Sequence, residues 1–218
     1  MTISAVIFDL DGTLLDTLED LGSSVNRVLA GQGFATHPLE AFRWFVGDGS
    51  RMLMTRALPE DQRSPETIER SLAALLADYN RNWHRQTRPY DGIEALLAAL
   101  TRQGKALSVV TNKPHRFTGE MVAHYFPNIA FRAVLGQQDG IAKKPDPVQA
   151  LAAAQAMGVA PGACIFLGDS GVDMQTAGRA GMLGVGAAWG FRPVDELKAA
   201  GARHIIHHPL ELLPFVAD

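Results

Sequence analysis

A chain of 218 residues with a net charge of −3, 47% hydrophobic and 20% charged residues has the composition of a folded globular protein. It has no positive excess to favour nucleic acid or an anionic membrane, and no apolar run long enough to cross a bilayer. Its one cysteine, Cys164, cannot form an internal disulfide and is expected to be a buried core residue. The start, MTISAVIFDL, lacks the basic and long apolar segments of a secretory signal, so the expected setting is the reducing cytoplasm.

In chain order, the first predicted strand, Ser4–Phe8, runs into FDLDGTLLDT, where Asp9 and Asp11 stand one residue apart. From about Asp16 to Pro89 there is no strand pattern. LEDLGSSVNRVLAGQGF, PLEAFRWFVG, SRMLMTRAL and PETIERSLAALLADYNRNWHRQT space their apolar residues for helices, and TRPYDG is the return linker. Strands are then predicted at Ala106–Val110, Ala130–Leu135, Ala163–Leu167, Leu183–Ala187 and His204–Ile206. Helices are predicted at Ile93–Arg102, His115–Tyr125, Val148–Met157, Val172–Ala180 and Val194–Ala200. Gly104, Gly158, Gly181 and Gly201 fall where left-handed helix caps belong. Alternating strands and helices imply βαβ units, and strands apolar throughout imply a sheet covered on both faces. The expected fold is α/β: a doubly wound, mostly parallel, Rossmann-like core at 1–15 and 90–218, with an inserted all-helical cap domain at 16–89.

Three tempting motifs have plainer readings. HIIHH, from His204 to His208, alternates its side chains across a strand end and makes a poor chelate. GMLGVGAAWG places its glycines inside a strand, not at the strand-to-helix turn a dinucleotide needs. Trp44, Trp83, Met52, Met54 and Met121 are expected to pack in the cap or core.

In an open parallel sheet, ligands bind beyond the carboxyl ends of the strands. Asp9 and Asp11 follow the first strand, Thr111 and Asn112 the second, Lys143 and Lys144 the third, and Asp169, Ser170 and Asp173 the fourth. Four carboxylates brought together need a cation, and oxygen ligands without histidine or cysteine favour Mg²⁺. A hydroxyl, main-chain amides and an ammonium group suit a phosphate. Such a set suits phosphoryl transfer through an aspartyl-phosphate, with one carboxylate attacking phosphorus and the other handling protons.

DLDGTLLDT, VVTNK, KKPDP and FLGDSGVD resemble, in order, the four motifs of the haloacid dehalogenase superfamily of phosphohydrolases. The resemblance spans nearly the whole chain, including a helical cap after the first motif. WFVGDGSRMLMTRAL and VVTNKPHRF are similar to its phosphoglycolate phosphatase branch. The resemblance implies Asp9 as nucleophile and Mg²⁺ ligand. It implies Asp11 as general acid and then base, with its main-chain carbonyl on the metal. Thr111 and the Asn112 N–H would hold the phosphoryl group, and Lys144 would neutralise charge between Asp9 and the phosphate. Asp169 would bind Mg²⁺, with Asp173 a second acidic ligand, direct or through water; Lys143 would be a solvated neighbour. In the cap, Gly47, Asp48, Gly49 and Arg51 would read the carboxylate of a small phosphorylated acid. Asp48 and Asp146 depart from the branch's usual residues.

The expected function is thus Mg²⁺-dependent hydrolysis of a small phosphate ester, 2-phosphoglycolate first, by a monomer or homodimer. A sugar-phosphate phosphatase, a pyrophosphatase and a phosphohexose mutase are the alternatives within the superfamily. A non-catalytic phosphate-binding module is the alternative outside it.

Overall fold

The structure, a computed structural model, describes residues 2–217. Its frame is a six-stranded parallel sheet in the order β5-β4-β1-β6-β7-β8. These strands are β1 (Ala5–Phe8), β4 (Ala106–Pro114), β5 (Ala133–Gln137), β6 (Cys164–Gly168), β7 (Leu183–Ala187) and β8 (His204–Ile206). The central strand β1 shows why the sheet takes helices on both faces. Ala5 and Ile7 join one apolar cluster, Val6 and Phe8 another, and all four are buried.

On the Ala5–Ile7 face lie α7 (Val148–Met157) and α8 (Gly171–Ala180), whose alanines 150, 153, 154 and 177 pack with Phe166 and the buried Cys164. On the other face lie α5 (Ile93–Arg102) and α6 (His115–Tyr125), with Ile93, Leu96, Leu100 and Met121 in the core. Both α7 and α8 end on left-handed glycines, Gly158 and Gly181, at φ 68° and 69°, as the sequence predicts. Helix α9 (Val194–Ala199) packs beside β7 and β8, and α10 (Leu213–Val216) beside α5. No helix among the described residues is long and apolar enough to cross a membrane.

Between β1 and α5 the chain leaves the sheet for a helical insertion. It contains α1 (Leu18–Gly31), α2 (Phe42–Phe45), α3 (Ser50–Ala57) and α4 (Pro65–Asn82). Helix α4 starts as its sequence dictates: the Ser64 hydroxyl accepts from Thr67 N at 3.2 Å, and Pro65 opens the first turn. Val25, Leu29, Leu53, Met54 and Leu75 are buried in one apolar cluster, each worth about 1.5–3 kcal/mol relative to exposure. The sequence showed no strand at the ends of this insertion. The structure has a short antiparallel pair there, β2 (Leu15–Asp16) with β3 (Arg88–Pro89). Two residues are too few to generate a readable alternation. Trp44 also differs from expectation, since it is 54% exposed, whereas Trp83, Met54 and Met121 are buried.

The return path is fixed by one buried carboxylate. Asp20, in the first turn of α1, accepts from Gln86 N at 2.9 Å, Thr87 N at 2.8 Å and Thr87 Oγ1 at 2.8 Å. Replacing Asp20 with alanine leaves those donors unpaired in the interior. It is expected to cost about 2–4 kcal/mol in urea unfolding. Glu60→Ala, which removes an exposed pair 4.0 Å long, should stay within about 0.5 kcal/mol.

Candidate active site

The site forms where the chain reverses direction across the sheet. Phe8 is in register with Val109 on one side and Leu167 on the other, so the ends of β1, β4 and β6 meet at one crevice. Asp9 emerges there, its own N–H donating to Leu167 O at 2.9 Å. The Lys144 Nζ forms an ion pair with Asp9 Oδ1 at 2.9 Å and donates to Asp173 Oδ1 at 2.7 Å. Asn112 places that lysine by its main chain: its Oδ1 accepts from Lys144 N at 2.8 Å and its Nδ2 donates to Lys144 O at 3.1 Å. Asp173 stands in the first turn of α8 and forms a capping box with Ser170, whose N and Oγ donate to Asp173 Oδ2 at 3.0 and 2.6 Å.

Asp169 enters through space left by glycines. A Cβ on Gly12, itself at φ +82°, would fall 2.3 Å from Asp169 Oδ2, and one on Gly190 would fall 2.2 Å from its Cβ. Thr13 Oγ1 donates to Asp169 Oδ1 at 3.1 Å and Phe191 N to Oδ2 at 2.7 Å. One ligand oxygen from each of Asp9, Asp169 and Asp173 lies within 4.8 Å of the other two. An all-oxygen set of this kind fits a hard divalent cation.

The electrostatics agree. Burial lifts the Asp9 carboxyl to about 6; Lys144 opposes the rise and Asp173 adds to it. Burial, then Asp173 and Asp9, push Asp169 well above the ordinary carboxylate range. Burial alone would pull the Lys144 ammonium down, but Asp173 and Asp9 more than offset it, and its pKa is raised. One lysine is too little charge for three buried acids, and a divalent cation would supply the rest.

Beside this cluster, Lys113 Nζ donates to both oxygens of Asp11, at 2.9 and 3.1 Å, and to the hydroxyl of Tyr79 on α4 at 3.0 Å. A buried lysine thereby ties the second motif-one aspartate to the helical insertion. Thr111, whose Oγ1 accepts from Lys113 N at 3.3 Å, is buried with Asn112 beside Asp9 at the site.

A cavity of about 40 Å³ lies between insertion and sheet. Asp9, Asp11, Thr111, Asn112 and Asp169 line it from the sheet, and Gly47, Gly49 and Ser50 from the insertion. Two expected cap residues lie elsewhere. Asp48 is held by Arg56, and its carbonyl accepts from Lys143 Nζ at 2.7 Å. Arg51 pairs with Glu69 on the surface. Each acts on a neighbour, not on the cavity, because it follows a glycine turn that carries its side chain outward. Lys143, read as solvated, is thus a tie between the two parts. Asp146 accepts from Val148 N at 2.9 Å at the start of α7 and has a local structural use.

Lys113, Tyr79 and Arg192 were missed by the sequence analysis. For Lys113 the signal was present: it sits two residues past Thr111 on the same strand, hence on the same face. Arg192 follows β7, one strand beyond those searched, and lines the cavity. Burial lifts the Cys164 thiol to about 11, which suits an inert core residue.

The fold is a parallel α/β sheet with an acidic, oxygen-only centre at its strand ends. Residues 6–187 match the haloacid dehalogenase-like hydrolase family. A phosphoglycolate phosphatase from Pseudomonas putida is 36% identical over 98% of this chain and 79% of its own length. An N-acetylmuramic acid 6-phosphate phosphatase from Pseudomonas aeruginosa is 33% identical over 98% of this chain and 94% of its own. The crystal structure of a predicted phosphoglycolate phosphatase from Haemophilus somnus superposes with a TM-score of 0.92 at 25% identity, covering 100% of this chain and 99% of that one. The chain belongs to the haloacid dehalogenase-like hydrolases.

The raised Asp9 pKa predicts a pH signature for the metal-free protein. Its folded value, about 6, exceeds the ordinary 3.8, so the native state holds a proton that the unfolded chain releases. Stability should therefore fall as pH rises through this interval and then level, for Asp9's part. A divalent cation should raise Tm more at about pH 7.5 than at about pH 4, because bound metal competes with protons. Asp169→Asn should remove most of that increment.

Proposed function

We propose that this chain is a magnesium-dependent phosphatase acting on a small phosphorylated acid, with 2-phosphoglycolate the leading substrate. The observation that carries the reading is the meeting of Asp9, Lys144, Asp169 and Asp173 beneath a small cavity bordered by Asp11 and Thr111. Asp9 attacks phosphorus, the bond from phosphorus to the ester oxygen breaks, and Asp11 gives its proton to the leaving oxygen. In the second half Asp11 takes a proton from water, whose oxygen attacks phosphorus and releases phosphate from Asp9. Thr111 and the Asn112 N–H hold the transferring group, and Lys144 offsets repulsion between Asp9 and the dianion.

Magnesium fits the oxygen-only donors and, when bound, supplies positive charge to the phosphoryl oxygens. Asp9 and Asp169 would hold it, with the Asp11 carbonyl. Asp173 would reach it through water, because Lys144 engages one of its oxygens and Ser170 the other. The helical insertion, read as residues 16–89, acts as a cap that limits water at the site. Gly49 and Ser50 bring the start of α3 to the cavity, where main-chain amides suit an anion.

Two observations support a small acid. The names of the two Pseudomonas relatives both denote phosphate esters of acids. The cavity is narrow, about 40 Å³, which favours the smaller of those esters. The lone thiol, buried and unpaired, is in keeping with a cytoplasmic setting.

A kinetic panel tests the reading. With Mg²⁺, kcat/KM for 2-phosphoglycolate should exceed that for N-acetylmuramic acid 6-phosphate, hexose phosphates, pyrophosphate and nucleotides. Chelation should abolish turnover, and Asp9→Asn should lower kcat by at least about 10³-fold, as loss of a nucleophile does. Preference for N-acetylmuramic acid 6-phosphate would transfer the assignment to that ester, and activity retained by Asp9→Asn would overturn the mechanism.

A further inference from the structure

The cavity's border carries two cations, and they differ in what they already hold. Lys113 has both oxygens of Asp11 within hydrogen-bonding distance. Arg192 has no carboxylate that close: Glu196 Oε1 is 3.8 Å from its Nε, and that oxygen accepts from Gly171 N at 3.0 Å. The Arg192 side chain is nonetheless largely buried, at 11% exposure. Its Nη2 donates to Val46 O at 3.0 Å and Trp44 O at 3.3 Å, and its guanidinium lies over the Trp44 ring, 5.0 Å from the centroid. Its Nη1 has no hydrogen-bond partner among the described residues.

The loop that carries Arg192 is pinned from three directions. Phe191 N donates to Asp169 Oδ2 at 2.7 Å, Trp189 Nε1 to Thr13 O at 3.0 Å, and Arg43 Nη1 of the cap to Gly190 O at 3.1 Å. The guanidinium is therefore set at a fixed place relative to the metal-ligand cluster. Its orientation, by contrast, depends on two cap carbonyls.

We propose that Arg192 recognises the substrate's carboxylate, doing so only when the cap is closed; the inference rests on the acid-ester reading above. The planar guanidinium offers the donors a carboxylate needs, and low exposure strengthens a charge-assisted bond. A substrate bridging the site thus has its phosphate at Asp9, Thr111 and Lys144 and its carboxylate at Arg192. Opening the cap removes the Trp44 and Val46 carbonyls that aim the guanidinium, so acid recognition and closure are one event. This role belongs to the sheet side of the cleft, where the sequence analysis had looked to Arg51 of the cap.

The test compares 2-phosphoglycolate with ethyl phosphate, which keeps the phosphate and lacks the carboxylate. Wild-type preference for 2-phosphoglycolate is the reference; its absence would overturn the acid reading and this inference with it. Given that preference, Arg192→Ala should lower the ratio of kcat/KM values, 2-phosphoglycolate over ethyl phosphate, by about 10- to 100-fold, mainly through KM. Arg192→Lys should recover part of the ratio, since it restores charge without the planar fork. A proportionate loss on both esters would show that Arg192 only tethers the cap, and an unchanged ratio in a folded variant would equally overturn the inference. Should Arg192→Ala fail to fold, Arg192→Gln carries the same comparison.

Discussion

Everything at the site depends on one ammonium group shared by two buried carboxylates. Lys144 lies between Asp9 and Asp173, at 2.9 and 2.7 Å, with Asp169 close behind. Breaking such a pair from one side leaves a buried charge unmatched, a strongly unfavourable state. The fold therefore places the lysine with unusual redundancy. Asn112 grips its main-chain N–H and carbonyl, and Asp173 is itself fixed by a capping box at the start of α8. What remains unbalanced is a surplus of negative charge, seen in the raised pKa values of Asp9 and Asp169. That surplus suits a divalent cation, which would in turn make an incoming phosphate tolerable.

The same residues that build the centre also hold the cap over it. Asn112 Nδ2 donates to Gly47 O at 3.0 Å as well as to Lys144 O. Lys113 binds Asp11 and Tyr79, Lys143 binds the Asp48 carbonyl, and Arg192 binds the carbonyls of Val46 and Trp44. These polar ties between insertion and sheet add to an apolar cluster that runs from the insertion into the sheet's core, where Tyr79 and Trp83 pack against Phe117 and Tyr125. Hydrogen bonds of this kind are worth little each in net terms.

Much of this was legible in the sequence because the relevant signals are local. β7, β8, α5, α6 and α7 coincide with the predicted segments, and β1, β4, β6, α8 and α9 differ by a few residues at their ends. Helix periodicity, apolar strands and terminal glycines each act within one element, so they survive without knowledge of the fold. β5 was placed near Ala133–Gln137 but began too early, since Ala130 and Phe131 have no regular structure and Arg132 is a bend just before the strand. Asp9, Lys144, Asp169 and Asp173 could be grouped because strand ends of a parallel sheet converge. Side-chain direction in the cap could not be read in that way. Asp48 follows Gly47, at φ 122°, and Arg51 lies two residues past Gly49, at φ 88°; their side chains reach Arg56 and Glu69. Tyr79 reaches Lys113 across a sequence separation of 34 residues, which no local pattern encodes.

In the proposed reaction Asp9, set beside Lys144, takes the phosphoryl group covalently. The most direct measurement is rapid quench of the wild-type enzyme turning over a phosphate-labelled substrate, followed by borohydride reduction and peptide mapping. Label should appear transiently on the protein, with a reduced residue at position 9 alone. Modification at any other residue, or inversion of configuration at phosphorus with no trapped species, would contradict that reaction.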